Sequence, residues 1–455
     1  MNELRKIGIV DETFRLAIVD DLIAEQTLER PMDGNHGEQH PKVADYASEG
    51  IPFIMANDIS GGRVNYSSCN FITKKQADGL RKGFAKPGDV LVTHKATIGR
   101  TALVGNEAMP YIMLTPQVTY YRVKNPKVLD NRYLRHYFDS ELFQKTLAIW
   151  AGAGATRAYL GITDQRKLPI IVPSLAKQRK IATILTAYDD LIEVNKRRIA
   201  LLEKMAEELY REWFVRMRFP GHQNTRFVKG VPEGWEPMPS NEMFDVLSGG
   251  TPKTDTPHFW DGPIPFFTPK DAPDYIYVAQ TEKWITEKGL NSCNSRLYPR
   301  NTIFITARGT VGKLALAQCD MAMNQSCYAL VPKYDQDVYF FYLAMLNAIT
   351  VVKGVSKSGV FDNIIVDTFN IIPIYFPGEA LVKAFNEIVH PIFSQLEVLL
   401  TANTNLTKTR DLLLPRLISG KLSVEDLDIQ FPPSMQGTTR EGAPEADAQP
   451  EASHA

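Results

Sequence analysis

The two halves of the chain repeat each other over a fixed interval. Ile51-Pro52-Phe53 opens a segment that ends at Asp58, and Ile264-Pro265-Phe266 opens one that ends at Asp271, so 264 − 51 and 271 − 58 both give 213. The same interval separates Lys95-Ala96-Thr97-Ile98-Gly99-Arg100 from Arg308-Gly309-Thr310-Val311-Gly312-Lys313. Each of these is preceded by an apolar run, Val90-Leu91-Val92 and Ile303-Phe304-Ile305. A repeat of this length is several times the roughly 20–50 residues of a solenoid unit. It predicts two homologous globular domains with related tasks.

With 455 residues the chain has room for two or three domains with proper cores. Its 51 Lys and Arg against 52 Asp and Glu leave a net charge of −1, without the basic surplus usual for a nucleic-acid binder. Part of that acidity sits in a tail from about Pro432 to Ala455, where Glu441, Glu445, Asp447 and Glu451 outnumber Arg440. Such a segment buries too little to order itself. Cys69, Cys293, Cys319 and Cys327 form no C-x-x-C pair and are too few for a disulfide scaffold, which points to a reducing compartment. Charges in Met1–Glu12 argue against a signal peptide, and no apolar stretch reaches membrane-spanning length, so a cytoplasmic location is expected.

Strand-like runs broken by turn clusters, then a helix from Asn131 to about Trp150, mark the first domain as mixed α/β. The second shows the same order, ending in a helix from about Asp337 to Val352. The loop from about Glu29 to Ala47 has no evident counterpart in the second copy. A long helical segment follows each domain, just after Pro173 and Pro377. The expected order is a first domain over 1–172, a helix over 173–219, a second domain over 220–376, a second helix over 377–426, and a disordered acidic tail over 427–455.

In the first helical segment, steps of four and three run through Ile181, Leu185, Tyr188, Ile192, Asn195, Ile199, Leu202, Ala206, Leu209 and Trp213. In the second they run through Phe385, Val389, Ile392, Leu396, Leu399, Asn403, Leu406, Arg410, Leu413 and Leu417. These are heptad seams. If the helices are antiparallel with Ile181 beside Leu417, Asn195 falls opposite Asn403, because 195 + 403 equals 181 + 417. A buried Asn pair stabilises little but penalises slipped registers. The alternative is two independent polar seam positions in separate helices.

Chemistry for catalysis is hard to find. The Arg308–Lys313 turn is shorter than G-x-x-x-x-G-K, and Leu314 replaces the hydroxyl residue that would hold magnesium. His36 and His40 share i, i+4 spacing without the glutamate of H-E-x-x-H. There is no G-x-S-x-G, no dinucleotide fingerprint and no Pro-Pro-aromatic motif for a flipped base. The repeated feature is a Gly turn flanked by cations, readable either as a surface turn or as a DNA contact. In the DNA reading, glycine permits close backbone approach while Lys95, Arg100, Arg308 and Lys313 meet phosphates or guanine edges. Thr97, Thr310 and Lys270 lie on the same segments, and Arg157 and Lys357 lie in Gly-rich stretches closing each domain, near Tyr159, Lys353 and Phe361. Those stretches read equally as flexible connections.

This pattern resembles the specificity subunit of type I restriction-modification systems. The central Leu209-Tyr210-Arg211-Glu212-Trp213-Phe214 and the terminal Leu412-Leu413-Leu414-Pro415-Arg416-Leu417-Ile418-Ser419-Gly420-Lys421-Leu422 are similar to the ends of that family's two helical spacers. The resemblance implies an α+β chain of two homologous mixed α/β target-recognition domains, separated by two long antiparallel coiled-coil helices in a pseudo-two-fold arrangement. Each domain would read half of an asymmetric double-stranded DNA site, with the helices setting the gap. The implied partners are two modification subunits carrying S-adenosylmethionine and restriction subunits using ATP and Mg; this chain would hold no cofactor or metal and catalyse nothing. The competing class is a non-enzymatic two-domain scaffold that grips protein partners without reading DNA. Salt dependence separates the two, because counterion release gives only the DNA reader a phosphate-scaled slope.

Overall fold

The structure, a computed structural model, describes residues 8–37, 40–106, 109–152, 158–334, 337–355 and 363–431. The chain divides into two compact units, one built from residues 1–191 and 407–455, the other from 192–406. Of the disordered tail expected over 427–455, residues 427–431 are described and Phe431 packs against the first unit's core, while the acidic part beyond it lies outside the described residues.

The first unit is organised around the strand Val90–Thr93, which pairs antiparallel with Thr101–Leu103 on one side and Val118–Tyr121 on the other. Met32–Asp33 extends the sheet beyond Val118–Tyr121. Successive side chains of a strand point to opposite faces. Val90 and Val92 accordingly join a core with Tyr121, Leu134, Phe138, Leu185 and Leu417, whereas Leu91 joins another with Ile54, Leu114 and Val118. Burial on both faces explains why this run is continuously apolar. A second sheet of five strands contains Ile51–Ile54 parallel to Ile112–Leu114, with Phe53 opposite Met113.

The second unit rebuilds this plan. Ile303–Thr306 lies between Leu314–Ala317 and Cys327–Pro332, and Phe244–Ser248 pairs on the far side of the latter. Ile303 and Ile305 enter one core while Phe304 packs with Phe267, Met323 and Ala329 in another. Phe266 stands parallel to Ala322 as Phe53 does to Met113. The first members differ by 266 − 53 = 213 and the second by 322 − 113 = 209. Four residues are therefore missing from the second copy between these strands. Thr73 and Thr286, 213 apart, cap equivalent short helices by accepting the backbone N–H of Gln76 and Gly289.

Three differences from the sequence reading have physical causes. The helix expected from Asn131 to Trp150 is two helices, Asn131–Asp139 and Glu141–Trp150, because Ser140 adopts an extended conformation and caps the second by accepting the Phe143 N–H. The first long helix is α-helical over Leu175–Tyr210 and then widens into a five-residue π-type turn, Arg211–Val215. The wider turn brings both Trp213 and Phe214 against Phe385, at ring distances of 5.5 and 5.0 Å. The Glu29–Ala47 loop, expected to lack a counterpart, has one at its start. Met32–Asp33 pairs onto its neighbour as Phe244–Ser248 does, and each is followed by a glycine, Gly34 or Gly249, whose added Cβ would strike a backbone carbonyl at 1.9 or 2.3 Å.

The second long helix spans Glu379–Ile418. Within the second unit its early part runs antiparallel to the first long helix: Trp213 meets Phe385 near one end, and Asn195 meets Asn403 near the other. Ile199, Ala206, Val389, Ile392, Leu396 and Leu399 are buried in the core there, with Leu202 and Leu209 packed at its edge. Ile192 is buried and Leu406 half-buried. Within the first unit, Ile181 and Leu185 share a core with Leu417, and Leu413 packs against it. Asp189 there joins Arg410 at 2.7 Å and also binds Arg135. Arg135, itself buried, holds Asp139 at 2.8 Å as well. In the second unit Phe393 packs on Tyr339 and Tyr342 at ring distances of 4.3 and 6.4 Å. The first domain meets the helices through this buried ion cluster, the second through these rings together with the Arg300–Glu397 ion pair.

Candidate nucleic-acid interface

The two Gly turns are closed by the same bonds. In the first, Gly99 N–H donates to Thr93 O at 2.9 Å and Arg100 N–H to Thr93 Oγ1 at 2.9 Å. In the second, Gly312 N–H donates to Thr306 O at 2.7 Å and Lys313 N–H to Thr306 Oγ1 at 3.0 Å. Ala96 and Gly309 take positive φ of 64° and 80°, and Gly99 and Gly312 take 90° and 72°. A left-handed backbone costs an alanine more than a glycine. A residue from the following helical region fastens each turn: Gln144 Nε2 donates to Gly99 O at 2.8 Å, and Lys353 Nζ donates to Val311 O at 2.8 Å and Gly312 O at 3.3 Å. Burial lowers the pKa of that lysine. Lys353, which lies beside the Gly-rich stretch readable as a DNA contact or as a flexible connection, is committed to the turn.

Beside each turn lies a single 3₁₀ turn, Ala56–Asp58 or Pro269–Asp271. Its aspartate accepts the N–H of Met55 or Thr268, both at 2.8 Å. The Gly turn is anchored to its first carbonyl: Arg100 Nη1 donates to Ala56 O at 3.1 Å, and Thr310 Oγ1 donates to Pro269 O at 3.1 Å. Those carbonyls are again 269 − 56 = 213 residues apart. Two different side chains thus make the same tie, giving each unit one connected ledge.

The cations divide into those tied by a hydrogen bond or ion pair and those with neither among the described residues. Arg100 is held as described, and Lys313 pairs with Asp274 at 2.7 Å. Lys95 is exposed, its Nζ 6.0 Å from the Tyr159 ring centroid. Arg308 and Lys270 are exposed and make no hydrogen bond or ion pair among the described residues. Thr97 is half-buried in the first turn, and Thr310 is exposed in the second. Arg157 and Lys357 lie outside the described residues. Reading the sequence for charge passed over Asn57, the exposed middle residue of the first 3₁₀ turn. The 213 interval was the signal for it, since 57 + 213 is 270 and Lys270 was already singled out.

Among the described residues, no group of three or more His, Cys, Asp or Glu is placed to hold a metal, and no helix is long and apolar enough to cross a membrane. His36 Nε2 lies 2.7 Å from Asp33 and His40 packs beside Phe53, so the two histidines have separate partners.

A module described as the type I restriction modification DNA specificity domain matches the chain twice, over residues 35–204 and 232–408. The chain belongs to this family of type I restriction-modification specificity subunits. Among its relatives, the type I restriction enzyme MjaIX specificity subunit of Methanocaldococcus jannaschii is 26% identical over 85% of this chain and 90% of its own length. The HindI specificity subunit of Haemophilus influenzae is 22% identical over 82% and 94%. The crystal structure of the type I system S subunit from M. genitalium shares the fold at 17% identity, with a TM-score of 0.56 over 90% of this chain and 97% of that one.

Proposed function

We propose that this chain is the DNA sequence-recognition subunit of a type I restriction-modification complex. Each domain reads one half of a bipartite, asymmetric site, and the paired long helices set the gap between the halves. The observation that carries this is the twice-built ledge, a Gly turn and a 3₁₀ turn tied together with an exposed cation, Lys95 or Arg308, at the head of the turn. Two ledges of one design but different side chains suit two half-sites of different sequence. Lys95, Thr97, Arg100 and Arg157 serve one half-site; Lys270, Arg308, Thr310, Lys313 and Lys357 serve the other. Of the turn cations, the tied Arg100 and Lys313 shape the ledge while Lys95 and Arg308 reach the duplex.

The chain itself supplies recognition and no catalysis. It works in the cytoplasm with two modification subunits, which bring S-adenosylmethionine, and with restriction subunits, which use ATP and Mg. Recognition domains over 1–172 and 220–376 and spacers over 173–219 and 377–426 are the working parts of this reading. Base-resolution methylation mapping of the assembled complex tests it with two variants. Arg308→Ala should alter preference within one half-site only; an equal loss on all sequences would make Arg308 a phosphate contact. A four-residue insertion after Ala200 adds about 6 Å of helix, close to two base pairs, and should change the gap with both half-sites intact. Altered half-sites with an unchanged gap would reject the ruler role.

A further inference from the structure

We infer that Asn57 determines base specificity in the first domain, at the position Lys270 occupies in the second. This rests on the DNA-reading role proposed above and names a residue that charge does not reveal. Asn57 is the exposed centre of the turn Ala56–Asp58, as Lys270 is of Pro269–Asp271. Neither side chain has a hydrogen-bonding partner among the described residues, whereas the turn beneath each is fixed at both ends. The aspartate one residue on accepts a backbone N–H at 2.8 Å in both units, and the carbonyl one residue back is tied to the Gly turn at 3.1 Å in both. Ala56 and Asp58 on either side of Asn57 are buried. A rigid support under an unsatisfied polar tip is what positional readout requires, since a loose side chain could accept any base edge.

The two tips carry different chemistry in the same place. An asparagine amide offers a donor and an acceptor that match the N7 and N6 edge of adenine, whereas a lysine ammonium offers only donors and suits guanine O6 and N7. A phosphate contact would not need an amide in one copy, because the backbone is the same at every base pair. The occupant of the first ledge is therefore the major-groove edge of a base pair, with adenine the favoured partner of Asn57.

Methylation-site mapping and duplex competition with the complex of this chain and its modification partner test the assignment, using Asn57→Lys, Asn57→Ala and Lys270→Asn. Asn57→Lys should change the preferred base at one position of one half-site and leave the other half-site untouched. Asn57→Ala should relax that same position, lowering discrimination there by roughly 5- to 150-fold, the fold equivalent of a good bidentate base contact. Lys270→Asn should act in the same manner on the opposite half-site. Unchanged base preference in both Asn57 variants, or equal weakening on every duplex, overturns the assignment while leaving the wider role standing. A wild-type complex that marks no bipartite motif removes the wider role and this assignment with it.

Discussion

Asn195 Nδ2 donates to Asn403 Oδ1 at 2.9 Å, and Asn403 Nδ2 turns back to the Ile192 carbonyl at 3.3 Å. One bond thus joins the two amides in a largely apolar stretch of the seam, and a backbone carbonyl takes the second donor, Asn195 being only 4% exposed. Replacing Asn195 alone by leucine leaves the Asn403 amide facing hydrocarbon and should cost about 1–3 kcal/mol in urea unfolding. The double Leu variant should recover that loss yet admit shifted registers, read as cross-links between cysteines placed one turn out of alignment. Full stability in the single variant would contradict the pairing.

Asp189 stands between two guanidinium groups, at 2.7 Å from Arg410 and bonded to buried Arg135. Burial pushes its pKa upward, but Arg135 and its other neighbours outweigh that and hold it below the usual carboxylate value. Asp189→Ala removes the carboxylate the two cations share, leaving Arg135 with Asp139 and Arg410 with Asp411, in a site where removing one partner costs up to about 3–5 kcal/mol. Chemical denaturation should show that loss, whereas Phe393→Leu in the aromatic junction of the second unit should cost far less than Asp189→Ala.

Glu203, on the first long helix, accepts the Ile276 N–H at 2.6 Å. Burial raises its pKa from 4.5 to about 7, with Glu207 adding to the rise and the Ile276 bond opposing it. Between these values the folded chain holds a proton that the unfolded chain has released. Stability from this group is therefore full below about pH 4.5 and is lost as pH rises through about 7. Glu203→Gln keeps an acceptor for Ile276 and should remove this pH dependence, so wild type and variant should diverge at pH 8 with the variant more stable. Parallel stability-versus-pH curves would rule the effect out.

Ala96 and Gly309 occupy equivalent left-handed positions, at φ of 64° and 80°. Ala96→Gly should therefore stabilise the first unit by about 1 kcal/mol, and Gly309→Ala should destabilise the second by at least that amount. Thermal unfolding of the two variants measures both signs. Shifts of the same sign would mean that the two turns are not equivalent.

Much of the architecture was legible because repetition at 213 residues is a pattern in the sequence itself, and because a heptad seam is periodic. The two-domain, two-helix plan followed from those two regularities, whereas the family rested on a resemblance carried chiefly by Leu209–Phe214 and Leu412–Leu422. The strand Met32–Asp33 was hidden for the opposite reason: Asp33-Gly34-Asn35 and Ser248-Gly249-Gly250 share only the glycine that close backbone packing demands. The interval also slips from 213 to 209 within each domain, so counting alone loses the later strands. At the interface, composition marks cations without saying which are spent. Lys313 is taken by Asp274, 39 residues earlier, and Lys353 by two carbonyls about 42 residues earlier. Asn57 escaped because an uncharged amide stands out only once its twin is known to be Lys270.

The first unit is assembled from both ends of the described chain. Leu417 and Ile418 are buried in its core, Val10 N–H donates to Ser419 O at 2.9 Å, and Lys177 reaches Asp11 and Glu425 at 2.7 and 2.9 Å. The second unit, by contrast, is one uninterrupted stretch. During synthesis the domain made first must wait with an open seam until nearly everything after it has emerged, while the domain made second can close at once. Chain order and order of completion are thus reversed, and the early half is the one that needs protection from aggregation while it waits.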